Sequence, residues 1–257
     1  MTRNGKLALV TGASSGLGVE FADLLASDGY DLVLVARSVD KLAALATTLQ
    51  DRYSINTTVI GQDLGVSDAV ARVHDQIPQC DVLINNAGFA SNGFFSTLDP
   101  ARIDEEVAVD VVALTQLTRT YLPGMLERGN GYVLNVASTA SFLPGPMMAV
   151  YYASKAYVRS FSEALWEETR GSGVGVTCLC PGATATGFID RAAMHQTMLS
   201  KLPLADARSV AVAGYRAMLR RKRIVIPGLS NKFVAWSPPI TPRRLLLWLS
   251  RKAVEST

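Results

Sequence analysis

Histidine and cysteine are scarce in this chain: two histidines, His74 and His195, and three cysteines, Cys80, Cys178 and Cys180, among 257 residues. Histidines so few and so far apart argue against a zinc centre, and no metal is expected. An odd number of cysteines without framework spacing excludes a disulfide scaffold. Cys178 and Cys180, two apart on an apolar run, read as buried thiols on one face of a strand. Also missing is any apolar run near the roughly 20 residues that cross a bilayer. Met1 leads into an apolar strand without a signal-peptide pattern, so the expected setting is the cytoplasm. Charge of one sign is lacking too, since 25 basic and 22 acidic residues leave a net +3. That excess gives no clustered face for nucleic acid, and the basic run from Arg220 to Arg223 reads as the solvated end of a helix. Neither repeats nor a linker divide the chain, and one domain over residues 1–257 is expected.

Hydrophobic segments are abundant. Apolar runs at residues 7–11, 32–36, 57–60, 82–85, 132–137 and 174–180 read as strands, and 224–227 as one last edge strand. Helical patterns fill residues 16–27, 39–51, 66–76, 103–126, 151–170 and 206–221. The strands show no in/out alternation, as expected when helices cover both faces of a parallel sheet. Strand–helix alternation of this kind predicts an α/β doubly wound sheet, with ligands at the carboxyl ends of its strands. Residues 183–205, after the break at Pro181-Gly182, are a lid candidate. The tail at 231–257 is Pro-rich and then turns amphipathic at 243–252.

Between the first strand and the first helix lies Thr11-Gly12-Ala13-Ser14-Ser15-Gly16-Leu17-Gly18. Glycines permit a tight turn and close approach of a pyrophosphate, while the helix N-terminus contributes N–H groups and positive potential. The spacing is neither G-x-G-x-x-G nor a nucleotide-triphosphate loop. Gly12, Ser14, Ser15, Gly16, Leu17 and Gly18 are the expected dinucleotide cradle. The second strand ends in Arg37 with no acidic residue at its tip. An arginine there suits a 2′-phosphate, so the expected cofactor is NADP(H).

Tyr151 and Lys155 stand four apart on a predicted helix and share a face, and Ser138 ends the strand at 132–137. Reducing a ketone leaves an alkoxide that needs a proton, which a tyrosine hydroxyl supplies. A free tyrosine titrates near 10; an adjacent ammonium, helped by an oxidised nicotinamide, is expected to lower that value. Tyr152 lacks such a partner, because Ala156 follows it by four.

Together these motifs resemble the short-chain dehydrogenase/reductase family from Lys6 to about Phe188. The matching pieces are Thr11–Gly18, Asn-Asn-Ala-Gly ending at Gly88, Ser138 placed 13 residues before Tyr151, Tyr-x-x-x-Lys, and Pro-Gly followed by a threonine at Thr186. The resemblance implies a Rossmann-like fold, with Asp63 and Leu64 near the adenine. It sets Asn85, Ala87 and Gly88 along the cofactor, Pro181, Gly182, Thr184 and Thr186 toward the nicotinamide, and Lys155 on its ribose. Asp110 stands where the family usually has asparagine, whose main chain holds a water of the proton relay. If the backbone carbonyl does that work, Asp110→Asn keeps most activity; a large loss of turnover in a folded variant would refute this.

Phe94, Phe95, Phe142, Leu143, Met147 and Met148 are the expected substrate wall. They point to a small hydrophobic carbonyl or alcohol substrate: a ketone, aldehyde or secondary alcohol. The nearest rival is a 3-oxoacyl-thioester or ketosphingoid-type reductase, and a non-catalytic NADP(H) sensor is a further one. Residues 243–252 fit either membrane association or docking on a partner subunit, and the family implies a homodimer or homotetramer.

Overall fold

A computed structural model of the chain describes residues 5–188, 192, 197–198 and 203–255. Seven parallel strands form one sheet in the order β3-β2-β1-β4-β5-β6-β7: β1 Leu7–Thr11, β2 Asp31–Ala36, β3 Thr57–Gly61, β4 Val82–Asn85, β5 Gly131–Val136, β6 Val174–Leu179 and β7 Ile224–Val225. The order reverses between β1 and β4, whose carboxyl ends therefore open a crevice for a ligand.

Side chains alternate across each strand. Ala8 and Val10 of β1 pack with Phe21 and Leu25 of helix α1 (Leu17–Ser27), and with Val210 and Met218 of α7 (Ala207–Leu219). α2 (Val39–Tyr53) covers the same side through Leu42 and Leu49. Leu9 faces the other way, toward Val73 of α3 (Ala69–Gln76) and Leu117 and Met125 of α5 (Leu114–Glu127). With both faces buried, the central strands β1, β2 and β4 have no polar side to show. Phe21 is fully buried, and truncating such a side chain to alanine costs about 3–5 kcal/mol.

The helix expected at 103–126 begins earlier and is not uniform. Asp99 caps α4 (Pro100–Val107) by accepting from the Ala101 N–H, and Pro100 occupies the first turn. Between α4 and α5 runs a π-helical turn, Ala108–Ala113, which contains Asp110. Such turns occur often at functional sites. The 20-residue α6 (Ala149–Glu168) carries Tyr151 and Lys155 on its buried side.

The tail departs from expectation. The Pro-rich stretch includes a helix, α8 (Leu229–Trp236), and a 3-10 turn at Pro238–Ile240, while the amphipathic segment expected at 243–252 is a helix, α9 (Arg243–Val254). Of the expected lid at 183–205, residues 189–191, 193–196 and 199–202 lie outside the described residues.

Candidate active site

Thr11 joins the two halves of the sheet where the crevice opens. Its hydroxyl donates to the Ile84 carbonyl at 3.2 Å and accepts from the N–H groups of Asn86 and Ala87 at 2.9 and 3.0 Å. The Asn86 amide donates back to the carbonyls of Thr11 and Gly12. Gly12 has φ +63°, and a Cβ there would stand 2.8 Å from Asn86 Nδ2 and 2.9 Å from Ala87 Cα. Gly16, at φ +57°, would place one 2.6 Å from Cβ of Thr186. A side chain fits at neither position. The turn is therefore a bare-backbone cradle at the start of α1, the arrangement that receives a phosphate.

A cavity of about 410 Å³ runs from this cradle along the crevice. Every catalytic and cofactor-binding residue expected from sequence lines it except Gly18, Asn85 and Asp110, and Lys41, Gln62, Asn86 and Thr139 join them. Gly18 lies behind the turn, where a Cβ would strike the Gly12 carbonyl. Asn85 faces inward instead, donating to Thr118 Oγ1 at 3.0 Å and Asn135 Oδ1 at 2.9 Å. Strand alternation explains the exchange, since neighbouring side chains take opposite directions and the cavity receives Asn86.

At one end Arg37 reaches over the rim with its side chain 59% exposed. The strand tip holds no carboxylate, but two distant ones approach: Glu105 of α4 at 2.7 Å and Asp63 at 3.8 Å. A local reading of the strand could not see Glu105, 68 residues away. At the other end Ser138, Tyr151 and Lys155 converge. Ser138 Oγ accepts from the Ala140 N–H at 3.1 Å. The Tyr151 ring lies 5.2 Å from that of Phe188 and 5.5 Å from the Lys155 ammonium, measured between centroids and from centroid to Nζ.

The expected substrate wall is only partly in place. Phe94 and Phe95 are exposed, and Phe142 packs under Arg159, with 4.3 Å from the guanidinium to the ring centroid. Met148 lines the cavity with Phe89, Ala140, Tyr152 and Phe188.

Lys155 Nζ stands 2.9 Å from Asp110 Oδ2, and both groups are buried. The other Asp110 oxygen accepts from the Phe89 N–H at 3.1 Å. Gly88 permits this pairing, because a Cβ there would meet Asp110 Oδ1 and Lys155 Nζ. One helical turn before Asp110, Glu106 is also fully buried, beside Ser91. Burial pushes the Glu106 carboxyl up to about 7; Ser91 and Lys155 oppose that rise and Asp110 adds to it. Sequence reading passed over Glu106 within the acidic run Asp104-Glu105-Glu106, which resembles a solvated face. The available signal was its spacing of four from Asp110.

Charged neighbours act on Tyr151 in both directions. Burial raises its pKa most; Lys155 and Ser138 pull it down, as expected of an adjacent ammonium, Asp110 and Glu106 push it up, and the net direction is upward. Lys155 itself is subject to burial that disfavours its charge, but Asp110 and the other anions outweigh this and raise its pKa. It is an ammonium, held as one by carboxylates. Among the described residues no cluster of three or more histidine, cysteine or acidic groups could hold a metal ion.

Known proteins bear this architecture. The family model described as short chain dehydrogenase matches residues 6–196. The very-long-chain 3-oxoacyl-CoA reductase of Rattus norvegicus is 33% identical over 190 residues, covering 72% of this chain and 61% of the reductase. The chain thus spans about three fifths of the length of such curated relatives. Among solved structures, a short-chain dehydrogenase from Sphingobium yanoikuyae in complex with NADPH is 32% identical, with a TM-score of 0.83 over 91% of this chain and 93% of that one. The bulky-bulky ketone specific alcohol dehydrogenase from Comamonas testosteroni is 30% identical, with a TM-score of 0.78 over 88% of this chain and 87% of its own. By its sheet, its cradle and these likenesses, the chain belongs to the short-chain dehydrogenase family.

Proposed function

We propose that the protein is an NADP(H)-dependent oxidoreductase that interconverts a hydrophobic ketone or aldehyde and its alcohol. One observation carries this reading: a single continuous cavity has the glycine cradle and Arg37 at one end and Ser138, Tyr151 and Lys155 at the other. The residues fit the cofactor. Gly12 and Gly16 keep the turn free of side chains, so that backbone N–H groups at the start of α1 can face a pyrophosphate, Arg37 suits a 2′-phosphate, and Thr186 and Lys155 suit the nicotinamide riboside. When bound, the nicotinamide supplies or accepts hydride.

The chain's own groups do the rest. Ser138 and Tyr151 hold the carbonyl oxygen. As that oxygen gains charge, Tyr151 donates its proton, and the Lys155 ammonium stabilises the phenolate left behind. A tyrosine whose pKa is raised remains protonated and ready for reduction. Alcohol oxidation needs the phenolate, so it gains from alkaline pH. Phe188, Tyr152 and Met148 provide apolar walls for the substrate. A homo-oligomer is expected from the family.

A long-chain 3-oxoacyl thioester is the second reading, supported by the likeness to the rat reductase. Bulky ketones and 3-oxoacyl-CoA esters compared in one NADPH-oxidation assay, with NADH alongside, separate the two. Tyr151→Phe is expected to lower turnover roughly 10²–10⁴-fold, the usual contribution of a positioned acid. Turnover that survives in that variant, or that prefers small charged keto acids, rejects the proposal.

A further inference from the structure

We propose that α8, α9 and the turn between them form a face that docks on an anionic lipid bilayer. On α8, Leu229, Lys232, Phe233 and Trp236 fall at i, i+3, i+4 and i+7 and share one side of the helix. The three apolar residues of that stripe are between 69% and 83% exposed, and Ile240 beyond them is 82% exposed. On α9 the buried positions are Leu246, Ser250 and Val254. Leu245, Trp248 and Leu249 form a second stripe that is exposed. Both helices thus turn large apolar groups outward, where a globular surface ordinarily turns charge.

Charge selects the occupant. From residue 229 to 254 the chain carries Lys232, Arg243, Arg244, Arg251 and Lys252 and no aspartate or glutamate. Glu255 follows and pairs with Arg251 and Lys252 at 3.0 and 2.9 Å. The whole positive excess of the chain resides in this segment. A second copy seated face to face would set like charge against like, whereas an anionic headgroup layer complements it. Indoles flanked by cations suit the boundary between headgroups and acyl chains. No helix among the described residues is long and apolar enough to cross a membrane; the face is placed to lie on the bilayer surface.

The face also adjoins the catalytic end of the cavity. Val254 is fully buried in the cluster that contains Met148, Tyr151 and Tyr152. Asn92 Nδ2 donates to the Val254 carbonyl at 3.1 Å, and Arg251 lies 5.6 Å from the centroid of the exposed Phe94 ring. A docked enzyme would take a water-insoluble carbonyl compound from the lipid phase. That consequence rests on the proposed reductase reading; docking itself does not.

The test is co-sedimentation of the purified full chain with phosphatidylcholine vesicles, with and without phosphatidylglycerol. Binding is expected only where phosphatidylglycerol is present, weakening as salt is raised. Trp236→Glu/Trp248→Glu, and separately Arg243→Glu/Arg244→Glu, are expected to lower partitioning at least roughly tenfold. NADPH oxidation with a water-soluble ketone and the circular dichroism spectrum should not change in either variant. Wild-type protein that stays in the supernatant with anionic vesicles overturns the proposal. So does light scattering that finds an oligomer split by the tryptophan variant without vesicle binding, since the face would then join two copies. Vesicle binding with no turnover on any carbonyl keeps the docking and removes the reductase reading.

Discussion

The cavity has an ion pair at each end, and the two differ in nearly every respect except chemistry. Arg37 and Glu105 meet 2.7 Å apart at the rim, with the arginine largely in solvent. Lys155 and Asp110 meet 2.9 Å apart with both side chains buried. An exposed pair contributes little to stability and exchanges partners readily, so Glu105 can yield Arg37 to an incoming phosphate. A buried pair has no water to replace a lost partner. In the proposed mechanism it keeps a fixed ammonium beside Tyr151. Distance alone does not tell a binding group from a tuning group. Burial does.

Breaking the buried pair should have the largest effect. Lys155→Met removes the ammonium beside Tyr151 and strands Asp110 as an unpaired buried acid. Turnover is expected to fall roughly 10²–10⁴-fold, with about 3–5 kcal/mol lost from stability, read by steady-state kinetics and urea unfolding. Breaking the exposed pair should act on one substrate only. Arg37→Ala is expected to raise KM for NADPH about 10–100-fold, leaving the NADH value and the urea midpoint nearly unchanged. An equal rise for both cofactors would contradict the role assigned to Arg37.

Glu106 sharpens the contrast through pH. Its folded pKa of about 7 lies above the ordinary 4.5, so the native state binds this proton more tightly than the unfolded chain. Stability should therefore be greatest below the ordinary value and fall as pH rises to about 7, with no further loss above it. Glu106→Gln is expected to flatten that slope and add about 1–2 kcal/mol at pH 8, measured by urea unfolding across the range. The smallest change is Glu105→Gln, which frees Arg37 and should lower KM for NADPH by only about two- to threefold.

Much of this molecule is legible in its sequence because buried parallel strands have to be apolar on both faces. Val82–Asn85 is bounded correctly for that reason. What escaped local reading depends on direction or distance. Helix α8 hides because its large residues face outward, and burial periodicity finds helices only by their inner side. Phe94 and Phe95 read as a pocket wall because aromatic residues near a site suggest one, yet both project into solvent. Asn85 and Asn86 are indistinguishable by type and differ only in which face of β4 each follows. The Glu105–Arg37 contact and the Glu106–Asp110–Lys155 cluster each join helices to partners tens of residues away, and no short motif encodes such a meeting.

The strand order has a consequence for how the protein assembles. The glycine cradle and Arg37 belong to the chain segment that builds β1 to β3, and Ser138, Tyr151 and Lys155 to the segment that builds β4 to β7. The two sets of strands share a single ladder, Ala8–Val10 against Val82–Ile84, with the Thr11–Asn86 bonds at its end. Closing that ladder requires ordering a loop of some seventy residues, an entropic barrier that slows nucleation. A dinucleotide lying across the crevice grips both sides of the seam. It therefore binds the closed chain in preference to the open one and adds to stability in proportion to the logarithm of its concentration. The ligand is thus also a clasp, holding together two half-sheets that each carry half of the chemistry.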